Sequence, residues 1–416
     1  MNSSRLLQAI VIGAGPAGMM TALKLAHQGF QVLMAEKQQQ VGTKLLLSGN
    51  GRCNISNALS MEHWEEKIPR NPKFLHTAFN AFSNQDLIQW AIKQGVPLKE
   101  ESDGKIFPES NSSRTILDLF KKKLFDQNVS IIQQHITKLM VKKGRIMGVL
   151  GQNGFEHQAD IVVIATGGKS WPQTGSNGEG YKLAEEVGHS IITPRPSLAP
   201  IKLMRHPFYD LAGTSIDDVF LSLNLAHCKK NPVMQGNVML THSGISGPAV
   251  LDLSAFLPLE GTKDCSLLID WLPAFSHEML LNQWKAVSSQ VTMSQWLSEL
   301  GVFSQKYCSW FLKEFKSLKA QSPSLWPRQD RTRFLQKLKQ YPCIISEPLS
   351  FEEGMVTAGG IDVREINSST MESRKCKGLY FAGEVMDVDG LSGGFNLQIA
   401  FSTGYLTGSS ALAPGG

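Results

Sequence analysis

Three glycines, Gly13, Gly15 and Gly18, stand at GxGxxG spacing in "GAGPAG", directly after an apolar run at residues 9–12. This is the chemistry of a turn that grips a diphosphate. Gly13 permits the tight turn, Gly15 lets the backbone approach a pyrophosphate, and Gly18 lets a helix pack on the strand. Pro16 suits the first turn of that helix, and Ala17 follows it. The helix N-terminus offers free N–H groups and the positive end of a dipole. Glu36 ends the next apolar run, where an acid accepts hydrogen bonds from an adenosine ribose. Strand, helix and acid in register indicate a dinucleotide.

A second constellation decides which dinucleotide. In "KGLYFAGEVMDVDGLSGGFNLQIAFSTG" a short strand leads into Gly383 and Glu384, then a polar loop with Asp387 and Asp389, then Gly393 and Gly394 opening a helix with Phe395, Asn396 and Leu397. A flavin needs a polar partner for its ribityl hydroxyls. It also gains from a helix N-terminus aimed at the ring edge where charge collects on reduction. Glu384 and the amides near Gly394 fit both roles, so FAD is the expected cofactor. The Asp387 and Asp389 pair reads equally well as a cofactor contact or a solvated turn.

A third stretch, "GTKLLLSGNGRCNISN", is too polar and glycine-rich for a core element. Its lone Cys53 has no partner cysteine nearby and reads as a small packed thiol. Arg52 and Asn54 flank it and are the candidate catalytic residues, together with His242 in "THSGISGP". His242 suits a proton donor because a histidine titrates near neutrality; the other reading is a structural histidine bonding a loop carbonyl. Glu352, Glu353 and Thr357 precede "AGGID" and face either a cleft or solvent.

The elements that position these residues follow from periodicity. Residues 9–12 and 31–35 read as strands around a helix beginning at Pro16 and capped near Gly29. Residues 71–94 look helical, "ESDGKIFP" carries an Asp-Gly turn, and "SNSSRTILDLFKKKLFDQ" gives a helix with an apolar stripe. Residues 130–158 look like a three-stranded meander with turns at "KKGR" and "GQNG". Three prolines in "TPRPSLAP" mark a domain edge. Alternating apolar residues from 201 to 270 indicate a small antiparallel sheet or barrel, and residues 276–341 are helical and charged.

Composition narrows the class. The chain has 416 residues, a net charge of +5 and 37 glycines, so several domains are expected. The short basic runs at 121–123 and 142–143 read as a solvated helix face and a turn. Six cysteines, at 53, 228, 265, 308, 343 and 376, show no CxxC spacing, so no zinc site or dithiol is expected. Free thiols fit a reducing cytoplasm. The glycine-broken N-terminal run is not a signal peptide pattern, and no apolar segment approaches a membrane span.

Taken together, the GxGxxG turn, "ATGG" (Ala165, Thr166, Gly167 and Gly168) and "GLYFAGE" resemble the two-dinucleotide-binding-domain flavoproteins, relatives of fumarate reductase and glutathione reductase. More narrowly, "SGNGRCNISN", "ATGGKSWPQTGSNGEGYKLAEEVGH", "THSGISGPAVLDLS" and the C-terminal stretch resemble the BaiN/YhiN-type bacterial flavoproteins, also labelled NAD(P)/FAD-dependent oxidoreductases or aminoacetone-oxidase-type FAD-binding enzymes. The likeness spans nearly the whole chain. It implies FAD, a discontinuous FAD domain and an inserted middle domain; one member of the family is linked to reducing dehydro bile acids. It also implies that the loop with Ser48, Gly49 and Gly51 wraps the pyrophosphate and flavin edge. Lys37 and Lys44 join the expected cofactor contacts. The family usually has tyrosine where this chain has Phe395.

The expectation is an α/β chain. A Rossmann-like FAD-binding domain, residues 1–192 and 346–416, combines a parallel sheet with a three-stranded antiparallel meander. It is interrupted by an insert at 193–345 that is β-barrel-like to 272 and helical after. No second GxGxxG follows a strand, so NADH or NADPH, if used, would dock transiently, or the substrate itself supplies the electrons. The expected reaction is hydride transfer through flavin N5 between a reduced nicotinamide and a small unsaturated or carbonyl substrate. One alternative is a flavin oxidase or dehydrogenase of a small amine. Another is a tRNA-modifying flavoprotein, motivated by Lys and Arg at 306, 313, 316, 319, 328, 331, 333, 337 and 339, although aromatic pairs for base stacking are not evident there. No metal site and no dedicated nucleic-acid site are expected.

Overall fold

The computed structural model describes residues 7–101, 103–225, 231–261, 265–346 and 350–411. The chain divides into two compact units, residues 1–197 with 351–416, and residues 198–350.

In the first unit, β1 (Gln8–Ile12), α1 (Pro16–His27) and β2 (Gln31–Glu36) form the βαβ element. β1 lies at the centre of a five-stranded parallel sheet, ordered Leu379–Phe381, Ile161–Ile164, β1, β2, Ser130–Gln133. A parallel strand covered on both faces reads as a continuous apolar run; Ile10, Val11, Val162 and Val163 are all fully buried. The helix Phe395–Ser410 lies against α1. It comes close because Gly404 and Gly408 have no side chain to hold it off; a Cβ at either would collide with α1 backbone or the stem of Lys24.

Three boundaries differ from the sequence reading. Ser130–Gln133 is not the first strand of the meander but the edge strand of the parallel sheet, paired with β2. Its residues are mostly exposed, so it lacks the apolar run of a central parallel strand. The antiparallel three-stranded sheet consists of Ile136–Lys142, Arg145–Gly151 and Glu156–Gln158. The stretch 71–94 is broken into Pro72–Leu75, His76–Ala81 and Asn84–Lys93. Ser83 restarts the helix: its hydroxyl accepts from the Asp86 amide (3.2 Å) and its own amide donates to the Asp86 carboxylate (2.8 Å), a capping box. The proline-rich edge at 193 falls inside the strand Ile191–Ser197, which pairs with Val356–Ile361 in the same unit; the pairing shifts register between Ile192 and Arg195. Proline tolerates such an irregularity because no ladder donor is required there.

The second unit begins with a six-stranded antiparallel sheet, ordered Ile201–Lys202, Gly244–Ser246, Val233–Leu240, Ser215–Leu225, Cys265–Asp270, Tyr341–Ile344. Its two edges meet. Leu203 bridges Ile345, the Met204 amide donates to the Ile344 carbonyl (2.9 Å) and the Ser346 amide to the Lys202 carbonyl (2.8 Å). The sheet is therefore a barrel, which removes its open edges. Leu221, Leu223, Val238, Leu267 and Ile269 fill it. The helices His277–Ala286, Met293–Glu299, Gln305–Phe311 and Arg328–Lys339 follow, with Trp284, Trp296, Trp326 and Phe334 packed edge to face in one cluster. Among the described residues, five cysteines are buried; Cys228 lies outside them. Among the described residues, no helix is long and apolar enough to cross a membrane.

Candidate functional site

The glycine turn is built as a cradle. Gly13 has φ +102°, its amide donates to the Ala35 carbonyl (2.9 Å), and a Cβ there would press on the Ala165 oxygen at 2.6 Å. A Cβ on Gly18 would collide with the Gly13 carbonyl oxygen, so this glycine is required by packing. Gly15 differs: a Cβ there meets nothing within 4 Å. It stands at the N-cap of α1, which no side chain caps and which has Pro16 in its first turn. The Glu36 carboxylate sits behind the turn. One oxygen accepts from the Ala14 amide (2.8 Å) and the other from the Gln38 amide (2.9 Å). Each oxygen keeps a further acceptor site, so Glu36 shapes the turn and can also hold a ribose.

The loop after β2 winds tightly. Gly49, Asn50, Gly51 and Cys53 all have positive φ, and the Cys53 amide donates to the Ser48 carbonyl (2.9 Å). The Ser48 hydroxyl donates to the Leu45 carbonyl (2.7 Å). Cys53 is fully buried, and burial pushes its thiol up to about 12. Arg52 is held by neighbours within the unit. Its guanidinium pairs with Glu101 (2.7 Å) and lies 4.0 Å from the centre of the Phe107 ring, so its charge is already compensated. Asn54 is the member of the pair left with capacity, because its Oδ1 is buried without a hydrogen-bond partner.

The segment from Ala165 to Gly168 runs beside Glu384. Thr166 Oγ1 is likewise buried without a partner, and Gly167 has positive φ. Thr357, fully buried, ties this segment down: its hydroxyl oxygen accepts from the Lys169 amide (2.8 Å) and the Ser170 amide (3.0 Å). Its own amide donates to Glu384 (2.8 Å), whose carboxylate also takes Lys44 Nζ at 2.7 and 3.0 Å. Sequence left Thr357 open between cleft and solvent; a buried threonine beside a glycine pair carries no signal that settles it.

The C-terminal constellation is reached through the same loop. Gly394, with φ +99°, caps the helix Phe395–Ser410, and a Cβ there would lie 2.9 Å from Asn54 Oδ1. Asn57 Nδ2 donates to the Gly393 carbonyl (3.0 Å). Leu397 is partly buried in the core of this unit. Phe395 and Asn396 do not present open side chains. The Phe395 ring is buried edge-on against Trp64 (4.8 Å). Asn396 folds back on its own loop, accepting from the Gly390 amide (2.8 Å) and donating to the Gly390 carbonyl (2.7 Å).

Gly383 packs on α1, where a Cβ would come within 2.8 Å of Ala17. Asp387 and Asp389 are not a solvated turn; both are buried. Asp389 takes Arg70 through two hydrogen bonds (2.7 and 3.0 Å) and the Ser197 hydroxyl (2.9 Å). Asp387 takes Asn71 Nδ2 (2.9 Å). Burial pushes both carboxyls upward, with Arg70 opposing. Lys37 is held by Glu179 (2.7 Å) and Asn177 (2.8 Å), which gives the "GSNGEG" loop its structural purpose.

His242 belongs to the other unit. It is exposed in the turn between Val233–Leu240 and Gly244–Ser246, with its ring edge-on to Tyr209 at 5.5 Å. Glu352 and Glu353 are exposed. Among the described residues, no cluster of three or more His, Cys, Asp or Glu side chains is placed to hold a metal ion.

This donor and acceptor set suits a dinucleotide. Two uncapped helix N-termini, at Gly15 and Gly394, supply free amides for anionic groups. Glu36 and Glu384 retain acceptor capacity. Asn54 Oδ1 and Thr166 Oγ1, buried and unpaired, call for a donor, since a buried polar atom without one costs about 1–3 kcal/mol.

Comparison with known proteins agrees. The model of the HI0933-like protein Rossmann domain matches residues 7–410. A ribosomal RNA dihydrouridine synthase of Escherichia coli is 31% identical over 409 residues, covering 97% of this chain and 98% of that protein. A 3-dehydro-bile acid delta(4,6)-reductase of Clostridium scindens is 30% identical over 416 residues, covering 96% and 98%. Among solved structures, 3-ketosteroid delta1-dehydrogenase from Sterolibacterium denitrificans aligns with TM-score 0.53 at 12% identity, covering 96% of this chain and 98% of that one; this shows a shared fold. With its glycine turn, acid and C-terminal helix all falling inside the matched span, the chain belongs to the HI0933-like Rossmann family.

Proposed function

We propose that this chain is an FAD-dependent reductase that adds a hydride and a proton across a carbon–carbon double bond conjugated to a carbonyl, with NADH or NADPH as the source of the hydride. The observation that carries the reaction class is the pair of whole-length relatives. One acts on uridine, the other on an unsaturated 3-oxo bile acid, and in both the double bond reduced is conjugated to a carbonyl.

When bound, FAD supplies the hydride relay. The chain's own groups bind and orient it. Amides at the start of α1 would hold the pyrophosphate, Glu36 the adenosine ribose, and Glu384, positioned by Lys44 and Thr357, the ribityl hydroxyls. Asn54 Oδ1 and Thr166 Oγ1 would accept hydrogen bonds from the cofactor, and the amides after Gly394 would supply donors to the reduced flavin.

Anaerobic mixing tests this. The purified yellow protein should bleach with NADH or NADPH and recolour on adding an enone substrate. A protein that purifies without flavin and does not take it up would end the cofactor half. A flavin that stays yellow with both nicotinamides would end the donor half.

A further inference from the structure

The first unit carries a groove that the cofactor site does not use. It has a volume of about 400 Å³ and lies between α1, the helices Asn84–Lys93 and Ser113–Asp126, and the helix Phe395–Ser410. Small-molecule sites span about 300–1,000 Å³, so it is large enough to hold one. It is set apart from the glycine turn. Lys24 in its wall stands nine residues beyond Gly15, and Tyr405 eleven beyond Gly394. At about 1.5 Å per residue these are separations of about 14 and about 16 Å along the two helices.

The floor is apolar. Met20, Leu23 and Phe82 are buried in it, and Trp90 and Tyr405 are partly buried. Phe82 stacks on the Tyr405 ring at 4.5 Å, and Lys24 Nζ lies 4.3 Å over the centre of that ring. The Trp90 ring leans on Phe120 at 5.1 Å. The stacking capacity of these rings is largely used inside the protein. The floor therefore suits a flexible methylene chain, lying along side-chain methyls and ring edges, better than a flat heterocycle.

The rim is cationic. Lys24, Lys93 and Lys123 line it, and Asp86 is the only acid among the described residues that do. The three lysines have no ion pair among the described residues. Each stands in the last turn of its helix, where the carbonyl end carries about half a negative charge. Asp86 stands at the start of its own helix, held by the amide and hydroxyl of Ser83 (2.8 and 2.6 Å), and that helix start offsets about half its charge. The rim keeps a surplus of about one positive charge, which suits a monoanion. Lys24 is fixed in place, because its stem packs on Gly408, where a Cβ would come within 2.5 Å of the Lys24 Cβ. The basic run 121–123, read from sequence as a solvated helix face, is split: Lys121 and Lys122 are exposed, and Lys123 lines the groove.

We propose that this groove binds a free, unbranched fatty acid, with its chain on the floor and its carboxylate among Lys24, Lys93 and Lys123. The methylenes gain from burial. The lysine stems extend the apolar wall while their ammonium heads stay at the rim, in reach of the carboxylate. The site lies outside the cofactor cradle and stands independently of the reductase reading.

Isothermal titration of the purified protein with decanoate, below its micelle concentration, tests this. One saturable site is expected, with affinity rising about fourfold per methylene from octanoate to decanoate. Lys24→Met should weaken decanoate roughly tenfold, the loss of about one charge-assisted hydrogen bond, and Lys93→Glu should weaken it at least as much. Decyltrimethylammonium should not bind. An unchanged melting temperature shows each variant folded. No saturable decanoate binding, equal binding by the parent and both variants, or acetate binding as tightly as decanoate would each overturn the site. Binding confined to phosphatidylglycerol vesicles would also overturn it, making the face a lipid contact. Release of bound flavin by decanoate would overturn its separateness from the cofactor cradle. The reductase reading is decided by bleaching with NADH or NADPH, whichever way these titrations fall.

Discussion

Lys44 and Glu384, 340 positions apart, form a 2.7 Å ion pair that joins the loop after β2 to the C-terminal segment of the same unit. Both side chains are about a quarter exposed or less. Such a pair contributes little to folding, about 0–1 kcal/mol, because water screens it. Under the proposed function, its weight is in orienting Glu384 for the ribityl hydroxyls of FAD. Lys44→Met should therefore lower FAD affinity roughly tenfold, or about 1.4 kcal/mol, with little change in apoprotein melting. Isothermal titration with FAD and a thermal melt of the stripped protein separate the two; a large drop in apoprotein melting would make the pair a folding element.

Gly15 and Gly18 should fail in opposite ways. Gly15 has φ −82° and open space where a Cβ would go, so Gly15→Ala should fold normally yet lose FAD if, as proposed, the pyrophosphate approaches this turn, because the methyl would then stand in its way. Gly18→Ala should destabilise the apoprotein, because its Cβ runs into the Gly13 oxygen. Flavin content and urea midpoint, measured on both variants, check this. Full FAD occupancy in Gly15→Ala would remove the pyrophosphate from this turn.

How much of this the sequence disclosed depends on the range of the interaction. The βαβ element, Glu36 and the helix at Phe395 were legible because each is set by local pattern: an apolar run, a glycine turn, a capped helix. The partners of Arg52 were not legible, because they depend on Glu101 and Phe107, brought alongside by a hairpin that pairs far along the chain. The side-chain partners of Phe395 and Asn396 were not legible for a similar reason. A glycine-opened helix predicts free amides, but not that Trp64 captures the ring or that Gly390 captures the amide side chain. The buried partners of Asp389 come from Arg70 and Ser197, and an acid between glycines gives no sign of them. Ser130–Gln133 was placed in the wrong sheet because an exposed edge strand carries no apolar run.

The Cys53 thiol, raised from 9.0 to about 12 by burial, gives a pH dependence of definite sign. Below pH 9 the thiol is protonated both folded and unfolded, and it contributes no slope. Between about 9 and 12 the unfolded chain loses the proton and the folded chain keeps it, so stability falls as pH rises. The slope approaches about 1.4 kcal/mol per pH unit for this one group. Urea midpoints of the parent and Cys53→Ala across that range should diverge, with the variant flatter. At pH 8 the native thiol should resist iodoacetamide until urea unfolds the unit. Rapid native alkylation would contradict the burial.

Arg70 and Asp389 carry the largest expected single effect. Asp389 is fully buried, and two hydrogen bonds from Arg70 compensate it, with a third from Ser197. Removing Arg70 leaves a buried carboxylate with only the weaker pull of Arg195, to be neutralised or hydrated, a loss of about 3–5 kcal/mol. Arg70→Met should cost that much in urea unfolding. Asp389→Asn should cost less, because an amide oxygen still accepts from Arg70 and Ser197. Replacing both members, Arg70→Met with Asp389→Leu, should recover much of the loss, since the uncompensated charge is gone. A double variant as unstable as Arg70→Met alone would mean that the damage comes from lost packing around Arg70 rather than from the stranded charge.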